Sequence, residues 1–121
     1  MKNKAVVIDA SYILDVLFPD EKIKELPKVK LVAPTLLQYE IVNAIKMAVV
    51  RKRIGQNVGR ELIKEWQNWR IDYQEVDLTA VMNLALSNDL SVYDASYLWL
   101  AKEKKAKLLT WDKKLAGLVS A

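Results

Sequence analysis

The sequence predicts an α/β domain built on a mostly parallel sheet of four to five strands, flanked by helices. Short apolar, β-branched runs recur along the chain, and stretches of helical period separate them, which is the pattern of βαβ units. Only three Gly and three Pro occur in 121 residues, so little of the chain is left for long loops. An apolar share of 52% is ample for one well-covered core. No repeat, low-complexity tract or linker divides the sequence, which predicts a single domain over 1–121.

Ala5 to Ile8 is a continuous apolar run, as expected of a buried parallel strand. Asp9-Ala10-Ser11 ends it, and Tyr12 to Phe18 reads as a short helix stopped by Pro19. A second short helix is expected over Asp20 to Leu26, and a second strand over Lys30 to Ala33. Pro34 then introduces the best-marked helix, Leu36 to Val50. Thr35 and Gln38 before it have capping-box spacing. Its near-continuous apolar content predicts burial on most faces, with Glu40 and Asn43 as the polar exceptions on one side.

Arg51, Lys52 and Arg53 close that helix, where cations complement the dipole. Gly55 to Arg70 predicts another helix with Val58, Leu62, Trp66 and Trp69 along one side. A strand is expected over Tyr73 to Val76 and a helix over Thr79 to Leu86. Asp94 is placed at the start of a helix from Ala95 to Lys104. Lys107 to Thr110 is the last strand, and Asp112 precedes a final helix from Lys113 to Val119.

The absences narrow the chemistry. Without Cys there are no disulfides, thiolate metal sites or cysteine nucleophiles. Without His there is no imidazole base, no Ser-His-Asp triad and no imidazole ligand. Hydrolytic chemistry would therefore rest on carboxylates or a hard cation. The net charge of +4 suits a polyanionic partner, although a basic surface alone is common. No segment has the length of a signal or transmembrane run, which predicts a soluble, cytoplasmic protein.

Asp9, Glu40, Asp94 and Asp112 stand out. Asp9 and Asp112 follow strands, where open α/β sheets bind ligands. Asp94 and Asp112 also stand where helix N-caps are expected, a purely structural use of Asp. Glu40 lies past the first turn of an apolar helix and needs a partner. Two carboxylates about 6 Å apart repel by roughly 3 kcal/mol at an effective dielectric of 20. Several such pairs would rival the roughly 5–15 kcal/mol stability of a domain. A cluster of this kind calls for protonation, basic neighbours or a cation, and oxygen donors select Mg²⁺ or Mn²⁺.

Four segments carry a family resemblance: Val7-Ile8-Asp9-Ala10-Ser11, Tyr39-Glu40-Ile41-Val42-Asn43-Ala44, Val92-Tyr93-Asp94-Ala95-Ser96-Tyr97 and Leu109-Thr110-Trp111-Asp112. Their order and separation resemble a PIN domain over nearly the whole chain, most closely the VapC-type toxins of toxin–antitoxin pairs. The resemblance implies a Mg²⁺- or Mn²⁺-dependent endoribonuclease with Asp9, Glu40, Asp94 and Asp112 as catalytic and metal-binding acids. Ser11, Asn43 and Thr110 are implied as supporting polar groups. It further implies an RNA substrate, a separate antitoxin protein and a homodimer. Arg51, Lys52, Arg53 and Arg60 are candidate phosphate contacts, or ordinary solvated helix ends. Trp111 stands where the family has a small or polar residue; it reads first as core, with base stacking as the other use.

Two phosphotransfer patterns fit less well. An aspartate-based phosphatase needs a second Asp where Ser11 stands, and a receiver domain needs an acidic pair where Ala10 stands. A PIN nuclease of RNA processing, or a non-catalytic PIN-like RNA-binding module, stays open on sequence alone.

Overall fold

The computed structural model describes residues 4–18 and 25–119. In order the chain forms β1 (Ala5–Ile8), α1 (Ala10–Leu17), β2 (Lys30–Pro34), α2 (Leu36–Val50), α3 (Gln56–Gln67) and β3 (Ile71–Gln74). It continues with α4 (Leu78–Asn88), α5 (Val92–Lys104), β4 (Lys107–Leu109) and α6 (Lys113–Val119). The strands make one four-stranded sheet, β3-β2-β1-β4, with every pair parallel. The predicted fold class is therefore the observed one. The helix expected over Asp20 to Leu26 falls mostly outside the described residues.

The central strands β1 and β2 are the apolar ones, because both of their faces are covered. Val7, Ile8, Val32 and Ala33 meet Ile13, Leu37, Ile41, Tyr97 and Leu98 in the main core. Helix α5 packs across β1, β2 and β4, and a smaller cluster of Val81, Ala85 and Ala95 joins α4 to it. No helix of the described residues is long and apolar enough to cross a membrane.

Several expectations shift in instructive ways. β3 begins two residues earlier than read, since this edge strand alternates Ile71, Asp72, Tyr73 and Gln74 instead of running apolar. Asp72 pairs with Lys30 of the neighbouring strand at 3.6 Å and accepts from Gln74 at 2.9 Å. The capping box at Thr35 does not form. Thr35 has helical dihedrals and gives its backbone N–H to Gln74 O at 3.2 Å, so the sheet has already used the donor that Gln38 would satisfy.

Helix α2 is less buried than its composition predicts. Leu37, Ile41, Ile45 and Ala48 form its core line, while Tyr39, Val42 and Val50 are exposed. On α3 the buried line runs through Gly59 and Trp66, leaving Val58 in solvent. A Cβ at Gly59 would stand 3.1 Å from Val49 Cγ2, so glycine is what allows α3 to lie this close to α2.

Candidate active site

The order β3-β2-β1-β4 contains a reversal. The chain adds β2 and β3 outward on one side of β1, then returns through α4 and α5 to place β4 on the other side. The carboxyl ends of β1 and β4 thus form a switch point, the usual crevice of an open α/β sheet. Asp9 leaves β1 there, and Thr110-Trp111-Asp112 leave β4. The Asp9 backbone N–H donates to Leu109 O at 2.9 Å and extends the ladder to the first acid.

Two hydroxyls hold the Asp9 carboxylate. Thr110 Oγ1 donates to its Oδ2 at 2.6 Å, and Ser11 Oγ donates to the same oxygen at 3.1 Å. Each hydroxyl also accepts a backbone N–H: Thr110 from Asp112 at 3.1 Å, Ser11 from Trp111 at 3.3 Å. Asp9 is the N-terminal boundary residue of α1, yet its side chain makes no cap bond. Its carboxylate takes the Ser11 and Thr110 hydroxyls instead.

Asp94 is also released from the duty its position predicted. Helix α5 starts three residues earlier, with Ser91 as the cap: Ser91 Oγ accepts the Asp94 N–H at 3.0 Å. Asp112 does cap, accepting the Leu115 N–H at 3.0 Å at the start of α6. Glu40 is half-buried on α2, and the buried Tyr97 hydroxyl of α5 donates to its Oε1 at 2.5 Å.

Electrostatics ties these acids together. Burial raises the Glu40 carboxyl above its usual range; the Tyr97 bond opposes this, and the charges of Asp9 and Asp94 raise it further. Burial likewise raises Asp94, with Asp9 and Asp112 adding to the effect against Ser91 and Lys114. Asp9 and Asp94 thus act on Glu40, and Asp9 and Asp112 on Asp94. Burial and the Glu40 carboxylate push the Tyr97 phenol far up, so it stays a proton donor. Among the described residues, however, no three acidic side chains are already arranged to hold a metal ion. The all-oxygen donor set suits Mg²⁺, which keeps several waters and takes only one or two carboxylates directly.

The other expected residues separate. Ser11 and Thr110 support Asp9, whereas Asn43 is exposed on α2. Trp111 is 52% exposed and stacked on Tyr12, not core. Of the basic set, Arg51 and Arg53 border a groove of about 840 Å³ that also includes Ser11 and Trp111. Arg60 is bonded to Asn57 and Gln56 along α3 and lines a different groove, between α2 and α3. Sequence reading missed Tyr97, Ser91 and Lys114. For Tyr97 a signal existed: a phenol in the apolar stretch of a buried helix must find a hydrogen-bond partner.

No family model matches the sequence. Individual relatives do. The chain is 30% identical to VapC ribonuclease Mb0985 of Mycobacterium bovis over 92% of its length and 88% of that protein's. The same figures hold for ribonuclease VapC9 of Mycobacterium tuberculosis. Ribonuclease VapC3 of Pyrobaculum aerophilum is 31% identical, with 92% of each chain covered. In fold, the chain resembles the crystal structure of PAE2754 from Pyrobaculum aerophilum, with a TM-score of 0.76 at 23% identity over 96% of this chain and 84% of that one. With relatives at this identity along nearly its whole length, the chain belongs to the VapC ribonuclease family and is a VapC-like PIN domain.

Proposed function

We propose that the protein is a metal-dependent endoribonuclease and the toxin half of a toxin–antitoxin pair. The observation that carries this reading is the convergence of acids from separate elements: Asp9 and Asp94 act on Glu40, Asp9 and Asp112 act on Asp94, and these charges add to burial in raising both carboxyls above their usual range. A protein gains no stability from such repulsion; a hard cation and a phosphate give it a purpose. The ribonuclease names of the relatives agree with it.

Asp9, Asp94 and Asp112 would hold Mg²⁺ or Mn²⁺, one or two of them directly and the rest through its waters, and the bound ion supplies Lewis acidity and a more acidic water. Ser11 and Thr110 fix the Asp9 carboxylate for that purpose. Glu40, with Oε1 tied to Tyr97, has Oε2 to orient the attacking water and take its proton. The water oxygen bonds to phosphorus as the phosphodiester P–O bond breaks; the leaving oxygen takes a proton from solvent, and Glu40 returns the proton it took to solvent.

The partners in this reading are RNA in the cytoplasm, a separate antitoxin and a second copy of the chain. Leu78, Met82 and Leu86 are exposed on successive turns of α4, a helix without charged residues, which favours self-association there. The test is cleavage of single-stranded RNA by purified protein. Cutting with Mn²⁺, and its loss with EDTA or in Asp9→Asn, is the expected result. Cleavage that survives both treatments rejects the assignment.

A further inference from the structure

We propose that the groove between α1 and α2 is the track for the RNA strand flanking the cut, with Trp111 as the base-stacking platform and Arg51 and Arg53 as phosphate contacts. This rests on the ribonuclease reading and adds where the substrate lies and what grips it.

The groove begins at the acids. Ser11 and Trp111 both line it, and Ser11 Oγ is bonded both to Asp9 and to the Trp111 N–H. A strand whose phosphate reaches Asp9 thus has Ser11 and Trp111 beside its neighbouring nucleotides. There the indole of Trp111 stands half-exposed, stacked on Tyr12 with ring centroids 5.6 Å apart and planes 16° from parallel. Tyr12 holds the indole in place, so an incoming base finds an ordered aromatic surface. Aromatic stacking of this kind accepts any base with an open face and rejects a paired helix.

Cations mark another part of the groove. Helix α2 ends through a left-handed Lys52, at φ 59°, with the Arg53 N–H donating to Ala48 O at 2.9 Å. That turn leaves Arg51 and Arg53 lining the groove and Lys52 outside it. Among the described residues neither arginine takes part in an ion pair. Asp15 lines the groove from α1 and repels phosphate, so the backbone must follow the arginine wall and the bases turn toward Leu14 and Trp111. This polarity orients a single strand and gives a duplex nothing to stack.

Binding is measured in an Asp9→Asn background with a fluorescein-labelled 12-nucleotide single-stranded RNA, by anisotropy at several salt concentrations. Trp111→Ala is expected to weaken binding by about 5- to 100-fold, and Trp111→Phe to restore most of it. Arg51→Gln with Arg53→Gln should lower affinity and reduce the salt slope by about 1.4, whereas Lys64→Gln on exposed α3 should change nothing. Unchanged RNA affinity in the Trp111 and double arginine variants overturns the track, as does a preference for duplex RNA. So does an acidic amphipathic peptide that needs these same side chains while RNA does not. If the track variants behave as expected but native protein with Mn²⁺ never cuts RNA, the ribonuclease reading fails and the binding track stands.

Discussion

The Tyr97 phenol donates to Glu40 Oε1 at 2.5 Å and so ties α5 to α2 at the acidic site, 57 positions apart in sequence. Tyr97 is buried and stays protonated, which makes the bond available at every pH at which the fold persists. Tyr97→Phe keeps the ring and removes the donor. The expected loss is about 1–3 kcal/mol in denaturant unfolding, because a half-buried carboxyl loses its donor. In the proposed ribonuclease the same change should lower kcat about tenfold or more while KM holds, since Glu40 loses its orientation but the RNA contacts do not.

The raised acidities of Glu40 and Asp94 predict a pH dependence with a definite sign. Both carboxyls bind protons more tightly folded than unfolded, so stability falls as pH rises through the window above their ordinary values of 4.5 and 3.8. The penalty is absent below that window and complete above the folded values. Glu40→Gln or Asp94→Asn should therefore raise Tm at pH 7 in metal-free buffer, and the gain should vanish below about pH 4. Mn²⁺ at ten times its Kd should stabilise native protein by about 1.4 kcal/mol, roughly 5–6 °C in Tm, and Asp94→Asn by less. Calorimetry across pH, with and without Mn²⁺, checks both.

Much of this site was legible because its parts are local signals. An apolar strand ending in Asp9, and another ending just before Asp112, marked the sheet edge without any tertiary information. The boundaries were harder where polar atoms compete for one backbone donor. Ser91 outranks Asp94 as the cap of α5, and only the structure shows that Asp94 sits inside the first turn, where Asp9 and Asp112 act on its carboxylate. Exposure on α2 was unreadable for another reason: Tyr39 and Val42 are apolar like Leu37 and Ile41, and composition does not say which face meets the sheet.

Thr110 connects the last strand to the first acid, accepting from the Asp112 N–H and donating to Asp9. Thr110→Val keeps the shape and breaks both bonds, with an expected cost of about 1–3 kcal/mol. Thr110→Ser should restore most of that stability, and both effects are read from urea midpoints. In the ribonuclease reading activity should follow the same order, native and Ser well above Val.

Helix ends were a further blind spot, because α2, α4 and α5 close through left-handed Lys52, Asp89 and Lys105 instead of glycine. At the end of α5 the Ala106 N–H donates to Ala101 O at 2.9 Å, the bond of a Schellman closure. A side chain in that conformation costs about 1 kcal/mol relative to glycine. Lys105 is exposed and far along α5 from Asp94, so Lys105→Gly should stabilise the fold by about 1 kcal/mol and leave RNA cleavage unchanged. A thermal melt showing destabilisation would contradict the backbone argument.

Asp112 combines two roles that substitution can separate. Its Oδ1 accepts the Leu115 N–H and caps α6, while its charge acts on Asp94. Asn keeps an oxygen acceptor at the cap and removes the charge; Ala removes both. Asp112→Asn should thus leave metal-free stability equal to native or higher, because one source of repulsion on Asp94 is gone. Asp112→Ala should lose about 1 kcal/mol of capping against the same relief, and so unfold before the Asn variant. The Asp94 carboxyl should move down toward its ordinary value in both variants, which NMR titration of the side chain reads directly. Both should lose Mn²⁺ affinity and RNA cleavage if Asp112 helps to hold the ion. Equal stability in the two variants would show that the cap contributes nothing, and retained Mn²⁺ affinity in both would remove Asp112 from the metal-binding set.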